Sequence, residues 1–265
     1  MIIRISSVLV TIFCFATLYS QQHWETAIFA EDYWKYLVPS EEVPSNWNEI
    51  SFDDSEWNLG PGGFGYGDGD DGTIISNTIS VYFRKTFTVF DLSEMSSAVL
   101  SADYDDGFVA YLNGYEIARS YNLSDPGTFV AYNQSTSYDH EASLYNGGVP
   151  ESIVLDSLSM SSLLVDGENI FAVQVHNVSM NSSDMSGNFY LSFRINDDYQ
   201  FYSPPPEWFQ EPINYDESNL PLMLIDTYGQ EIPDEPRIPA HMGIINNSIG
   251  LNYIHDSFND YDGLI

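Results

Sequence analysis

The stretch Ser80-Val81-Tyr82-Phe83-Arg84-Lys85-Thr86-Phe87-Thr88-Val89 decides the fold class. Val81, Phe83, Lys85, Phe87 and Val89 fall on one side of an extended chain, and Tyr82, Arg84, Thr86 and Thr88 on the other. A period of two in aromatic and β-branched residues marks a half-buried strand. The same period returns in Phe189, Leu191, Phe193 and Ile195 against Tyr190, Ser192, Arg194 and Asn196, and in Phe171, Val173 and Val175 against Ala172, Gln174 and His176. Residues 98–103, 108–112, 115–119 and 152–155 are shorter strand candidates, and Asn113-Gly114 between two of them is a two-residue hairpin signal. No apolar 3.6-residue period is sustained over three turns, and residues 157–164 offer one short helical turn before Asp166-Gly167. Many short strands with polar, glycine-containing loops predict an all-β chain, an antiparallel β-sandwich or jelly roll.

Upstream of that strand runs Gly60-Pro61-Gly62-Gly63-Phe64-Gly65-Tyr66-Gly67-Asp68-Gly69-Asp70-Asp71-Gly72-Thr73. Glycines at this density lose extra conformational entropy in a regular element, and fit a chain that turns sharply or approaches a ligand closely. Asp68, Asp70 and Asp71 are the candidate metal ligands, because loop carboxylates can converge on a hard cation such as Ca²⁺. A solvated acidic turn is the competing reading, since Asp-Gly is also a turn signal. Asp103-Tyr104-Asp105-Asp106-Gly107, followed by Asn113-Gly114, is a second acidic cluster that is either a loop-oxygen site or a tight polar turn.

The chain has 265 residues, 43% hydrophobic and 15% aromatic, enough for a substantial core and one to two domains. Seven Lys and Arg stand against 39 Asp and Glu, a formal charge of −32. Such a field repels nucleic acid and anionic membranes and attracts divalent cations. Residues 1–20 read as a secretory signal peptide, with Arg4 before the apolar run 8–16, which is shorter than the ~20 residues a bilayer span needs. No membrane insertion is expected after its removal, and the expected location is secreted or at the cell surface. The one cysteine, Cys14, lies in this segment, which excludes disulfides and thiol chemistry from the mature chain. Asn122, Asn133, Asn177, Asn181 and Asn246 each begin an N-x-Ser/Thr sequon.

Three prolines at 204–206 form a stiff connector, read as a linker over 204–218. Beyond it, residues 219–265 hold two or three strands, too few to close a core, so this stretch is expected to be the start of a second, truncated domain. His176, Ser182 and Asp184 contain the residue types of a hydrolase triad, but no Gly-x-Ser-x-Gly elbow is present, and His176 reads as a hydrogen-bonding strand residue. Trp47, Trp57, Tyr66, Tyr111 and Tyr115 are weighed as sugar platforms against core filling; Tyr66, in the glycine loop, is the better platform and Trp57 the better core residue.

Phe52-Asp53-Asp54-Ser55-x-Trp57, the Gly-Phe-Gly-Tyr-Gly-Asp loop, Tyr82-Phe83-Arg84-Lys85-x-Phe87, Asp105-Asp106-Gly107…Tyr111-Leu112-Asn113-Gly114 and Gly167-Glu168-Asn169…Val173-Gln174-Val175-His176-Asn177 succeed one another in order. This succession, over residues 21–203, resembles the galactose-binding-like β-sandwich modules of large secreted bacterial proteins. Asn219-Leu220-Pro221 and Ile232-Pro233-Asp234-Glu235-Pro236-Arg237-Ile238-Pro239-Ala240-His241-Met242-Gly243 resemble the opening of a spore-coat CotH-like domain. That family includes atypical kinases, whose ATP and metal sites lie further along than this stretch. The resemblance implies the sandwich fold and an extracellular bacterial multidomain protein. Together with the residue readings above, the expectation is a non-catalytic secreted module for carbohydrate or a cell-surface component, with Tyr66, Asp105, Asp106 and Asn113 as candidate ligand residues and Ca²⁺ as cofactor. The alternative is a structural spacer that orients the downstream domain of the same polypeptide.

Overall fold

Alternating apolar side chains build the long strands of this chain, and asparagine follows the last residue of two of them, at Asn177 and Asn196. The computed structural model describes residues 22–67, 69, 71–212, 217–227, 237–247, 251–254 and 256–265; the expected leader, 1–20, lies outside them. The chain divides into two units at Gln210/Glu211. The first contains β1 (His23–Ile28), β2 (Tyr33–Leu37), β3 (Asn58–Pro61), the two-residue β4 (Phe64–Gly65) and β5 (Thr73–Ile74), and β6 (Ser80–Val89). It continues through β7 (Met95–Asp105), β8 (Gly107–Leu112), β9 (Tyr115–Arg119), β10 (Glu151–Asp156), the helix α1 (Ser157–Leu163), β11 (Gly167–His176) and β12 (Ser186–Ile195).

One sheet has the order β1-β12-β7-β10 and the other β3-β2-β6-β11-β8-β9. Every neighbouring pair in both is antiparallel. The chain is an all-β sandwich. β6 and β11 pair over their full lengths, from Ser80↔His176 to Val89↔Gly167, so Phe83 sits opposite Val173. The hairpin between β8 and β9 turns at Asn113 (φ 49°) and Gly114 (φ 90°), the left-handed pair that a two-residue primed turn requires.

Between the sheets, Phe83, Phe87, Leu191 and Phe193 are buried as the alternation predicts. Phe83 meets Trp34, Phe64 and Phe189 at ring-centroid distances of 5.5, 5.0 and 5.7 Å, and Phe87 stacks on Phe193 at 6.1 Å. The outer face of β6 departs from the half-buried expectation, because Tyr82 and Arg84 are buried too. A second apolar cluster of Val43, Trp47, Trp57, Tyr82 and Ala172 covers that face. Arg84 lies under it, hydrogen-bonded to Asp54 Oδ2 (2.5 Å) and the Glu49 carbonyl (2.9 Å), with its guanidinium 5.0 Å from the Phe52 ring centre. Trp47 and Trp57 are therefore core, not platforms; Tyr111 is half-buried and accepts a hydrogen bond from Gln174, while Tyr115 stays exposed.

The open edge of β1 is closed by the chain just past the last strand of the sandwich. Glu25 is buried and its Oε2 accepts from the amides of Phe201 (2.9 Å) and Tyr202 (2.7 Å), and the Thr26 amide donates to the Ser203 carbonyl (2.8 Å). Past the three prolines, Trp208 packs on Tyr190 (4.9 Å) and Phe209 on Trp24 (5.4 Å). The sandwich unit thus runs through the start of the stretch read as a linker. In the second unit, β13 (Glu217–Ser218) pairs with β16 (Asn252–Tyr253), and β14 (Leu222–Asp226), β15 (His241–Ile245) and β17 (Tyr261–Leu264) form a three-stranded antiparallel sheet. Ile245 and Ala240 are buried there, Leu222 and Leu224 half-buried, and Met223 and Ile225 exposed.

Phe83→Ala, at a site 1% exposed, should cost about 3–5 kcal/mol. Tyr115→Ala, on the surface, should stay within about 0.5 kcal/mol of wild type. Urea unfolding of both variants checks the contrast.

Candidate metal centre

At one end of the sandwich, β7 finishes at Asp105 opposite Ser186, the first residue of β12. The next residue, Asp106, holds the surrounding loops. Its Oδ1 accepts from the His140 amide (2.9 Å), its Oδ2 from the Val178 amide (2.6 Å), and its own amide donates to the His176 carbonyl (3.2 Å). Asn122 donates from Nδ2 to the Asp106 carbonyl (3.0 Å) and the Tyr138 carbonyl (2.8 Å). Gly107 is required here by close approach: a Cβ would stand 2.6 Å from Thr136 Cγ2 and 2.8 Å from Ser120 Oγ. The His140 ring donates from Nδ1 to the Tyr104 carbonyl and stacks on the Tyr104 ring at 4.2 Å.

Against this frame Asp105, Glu141 and Asp184 converge, with one carboxylate oxygen from each lying within 4.8 Å of the others. Asp105 is buried, Asp184 half-buried and Glu141 exposed, so the group opens to solvent on one side. Burial first, and then the carboxylates of Asp106, Asp184 and Glu141, push the Asp105 carboxyl up to about 8. No ion pair among the described residues brings a cationic side chain to these carboxylates. Asn177, fully buried beside them, donates from Nδ2 to the Asp184 carbonyl (3.2 Å) and the Tyr66 hydroxyl (2.9 Å), while its Oδ1 has no hydrogen-bond partner among the described residues. Carboxylate and amide oxygens without a sulfur or imidazole donor suit a hard cation of the calcium type.

The candidate residues read from the sequence separate in the fold. Asp105 and Asp106 are side by side, Asp105 in the converging group and Asp106 committed to backbone amides. Tyr66 comes to the same place but is buried, bridged to Met185 and bonded by Asn177, so it is a wall of the centre and not an exposed platform. Asn113 is elsewhere, in the β8–β9 turn; its Nδ2 donates to the Leu163 carbonyl and Asn169 Oδ1, and its Oδ1 accepts from the Ile170 amide, which commits its amide to the turn and not to a ligand. Asp68 and Asp70 lie outside the described residues. Asp71 rests against Gly65 and is not one of the three converging carboxylates. Glu141, which no local motif marks, and Asp184, noted in the sequence only among triad-type residues, complete the group from two separate loops.

His176 is fully buried, donating from Nδ1 to the Gln134 carbonyl (2.8 Å) with Nε2 3.3 Å from Gln174 Oε1. It is a structural strand residue, as read from the sequence. The sequon residues Asn122 and Asn177 are interior, their amides bonded within the loops, whereas Asn133, Asn181 and Asn246 are exposed.

No protein-family model and no curated protein matches this chain. Solved structures with related backbones include a glycosyl hydrolase family 2 member from Bacteroides cellulosilyticus, 17% identical with a TM-score of 0.39 over 63% of this chain and 20% of that one. A calcium binding mutant of Bacteroides uniformis beta-glucuronidase 2 is 15% identical with a TM-score of 0.42, over 85% and 22% respectively. An uncultured Clostridium sp. beta-glucuronidase is 14% identical with a TM-score of 0.41, over 89% and 35%. This chain spans about a fifth of the length of the first two. At these values the assignment to the sandwich class rests on the chain's own two sheets. Among the described residues no helix is long and apolar enough to cross a membrane.

Burial holds the His176 imidazole down to about 4, from an ordinary 6.5. Between those values the unfolded chain binds the proton that the folded chain refuses, so this residue's contribution is full above about pH 6.5 and is lost as pH falls toward 4. Asp105, held up, opposes that slope over the same range. Denaturant unfolding at pH 7.5 and 4.5 should therefore show a smaller acid loss in His176→Gln than in wild type.

Proposed function

We propose that the first unit is a secreted, non-catalytic binding module for carbohydrate or a cell-surface component, with a calcium ion closing one loop end. The observation that carries the calcium part of this reading is the convergence of Asp105, Glu141 and Asp184 within 4.8 Å, with no cationic side chain paired to them among the described residues. The carbohydrate part is supported by the resemblance to galactose-binding-like modules. Burial and the neighbouring carboxylates keep a proton on Asp105 up to about 8, and a divalent cation would displace it and let all three groups ionise together. Calcium takes about six to eight oxygens; the three carboxylates would supply part of that shell, Asn177 Oδ1, an acceptor with no hydrogen-bond partner among the described residues, is a further candidate oxygen, and carbonyls and water would supply the rest. The ion would belong to the scaffold, tying the β7 end to the loops that carry Glu141 and Asp184. On this reading the calcium site is distinct from Asp71, the described member of the acidic trio in the glycine loop.

The spacer reading is favoured by a different observation. Residues 219–265, which resemble the opening of a CotH-like domain, come directly after the sandwich, and the sandwich would then orient that domain.

Calcium should raise the melting temperature of the chain by mass action, worth about 2.7 kcal/mol when the free ion is about 100 times its Kd, and a chelator should reverse the rise. Asp105→Asn and Asp184→Asn should lose the response while being no less stable than wild type in chelator, because Asp184→Asn removes a repelling charge and Asp105→Asn replaces a carboxyl held neutral up to about pH 8. A calcium response equal in wild type and both variants would show that the ion binds elsewhere. No response in wild type would favour the spacer.

A further inference from the structure

The glycine loop lines a second feature of the first unit, a cleft of about 360 Å³. It is separate in its lining from the carboxylate centre. Tyr145, Tyr190 and Trp208 supply its aromatic surface, Glu31 and Asn188 its polar side chains, and the backbone of Gly62, Gly63 and Gly72 part of its wall. The volume lies in the ordinary range for small-ligand sites, and a few convergent polar groups among aromatic rings are the usual composition of one.

Each wall is held in place. Trp208 stands edge-on to Tyr190 at 4.9 Å with the ring planes at 76°. The Tyr190 hydroxyl donates to Glu31 Oε1 (3.1 Å), fixing that carboxylate in the cleft lining. The buried carboxylate of Asp103 accepts from the amides of Ser143 (2.7 Å) and Leu144 (3.2 Å), which sets the short turn that presents Tyr145. Gly63 has φ +77°, and a Cβ there would come within 3.1 Å of the Gly72 amide nitrogen and 3.2 Å of Asn188 Oδ1. A Cβ on Gly72 would strike the Gly62 carbonyl. Glycine at these positions lets the two arms of the loop close together and leaves room for the half-buried side chain of Asn188.

The geometry points to this cleft as the binding site for a neutral carbohydrate. Ring faces of Trp and Tyr take up the C–H side of a pyranose, while the Glu31 carboxylate and the Asn188 amide offer acceptors and donors to its hydroxyls. Among the described residues no lysine, arginine or histidine lines the cleft, and the chain carries a charge of −32, so uronic acids and phosphorylated sugars are repelled. The assignment rests on the carbohydrate reading proposed for the first unit and is independent of the calcium centre.

Isothermal titration calorimetry tests it on the full chain in calcium chloride. The probes are a panel of neutral oligosaccharides built from β-linked glucose, galactose, mannose and xylose, with oligogalacturonate as the acidic control. At least one neutral member should bind wild type, and Tyr145→Ala, Asn188→Ala and Trp208→Ala should each weaken it by about tenfold or more with an unchanged calcium-induced shift in melting temperature. Should Trp208→Ala fail to fold, Tyr145→Ala decides, because that side chain is 48% exposed. Neutral-sugar binding that is equal in wild type and the variants overturns the cleft and leaves the carbohydrate reading in place. Binding of none of the panel by wild type overturns both, and preferential binding of oligogalacturonate overturns the assignment to neutral sugars.

Discussion

Phe83 is the contact on which the arrangement depends. From the middle of β6 it reaches Trp34 on β2, Phe64 in the glycine loop and Phe189 on the opposite sheet, all within 5.7 Å. Rings at such distances in tilted and edge-to-face poses contribute beyond the area they bury. The same side chain therefore joins the two sheets and anchors the loop that forms part of the cleft wall. Gly187, whose Cβ would stand 3.3 Å from the Phe83 ring, keeps β12 clear of it.

The carboxylate centre and the aromatic cleft solve different problems with the same resource. In a chain with 39 acidic residues, most of the described carboxylates face water, and a few are drawn inward to do structural work. Asp103 and Asp106 each satisfy backbone amides of an irregular segment, which is how a buried carboxylate is accommodated without a cationic partner, and Glu25 does the same through Oε2 while its Oε1 pairs with the His23 ring. Asp105 is the exception: among the described residues it is buried without such amides and beside other carboxylates, and burial first, then that neighbouring negative charge, keeps its proton on to about 8.

How far the residues announced this structure depends on the range of the forces involved. The strands at Ser80–Val89 and Gly167–His176 were legible because a two-residue period is a local property, and the Asn113-Gly114 turn because positive φ restricts the choice of residue. Burial of Tyr82 and Arg84 on the far side of β6 was not, because residues 43–57 cover them from outside the strand. The acidic site shows the same division. Asp105 and Asp106 could be singled out as a cluster, whereas Glu141 and Asp184 are brought to them only by the folding of two distant loops. Tyr66 sits where the glycine pattern placed it, yet its ring turns inward, a choice of side that the spacing of glycines leaves open.

The closure of β1 by residues 201–203 has a consequence beyond the sandwich's own stability. An uncovered border strand offers its free amides and carbonyls to any extended chain, including that of another copy. Here Glu25 and Thr26 bind the amides and the carbonyl of the chain's own continuation instead. Polypeptides cut just before Phe201 would present this border to one another, so the segment guards against self-association as well as leading the chain out of the sandwich.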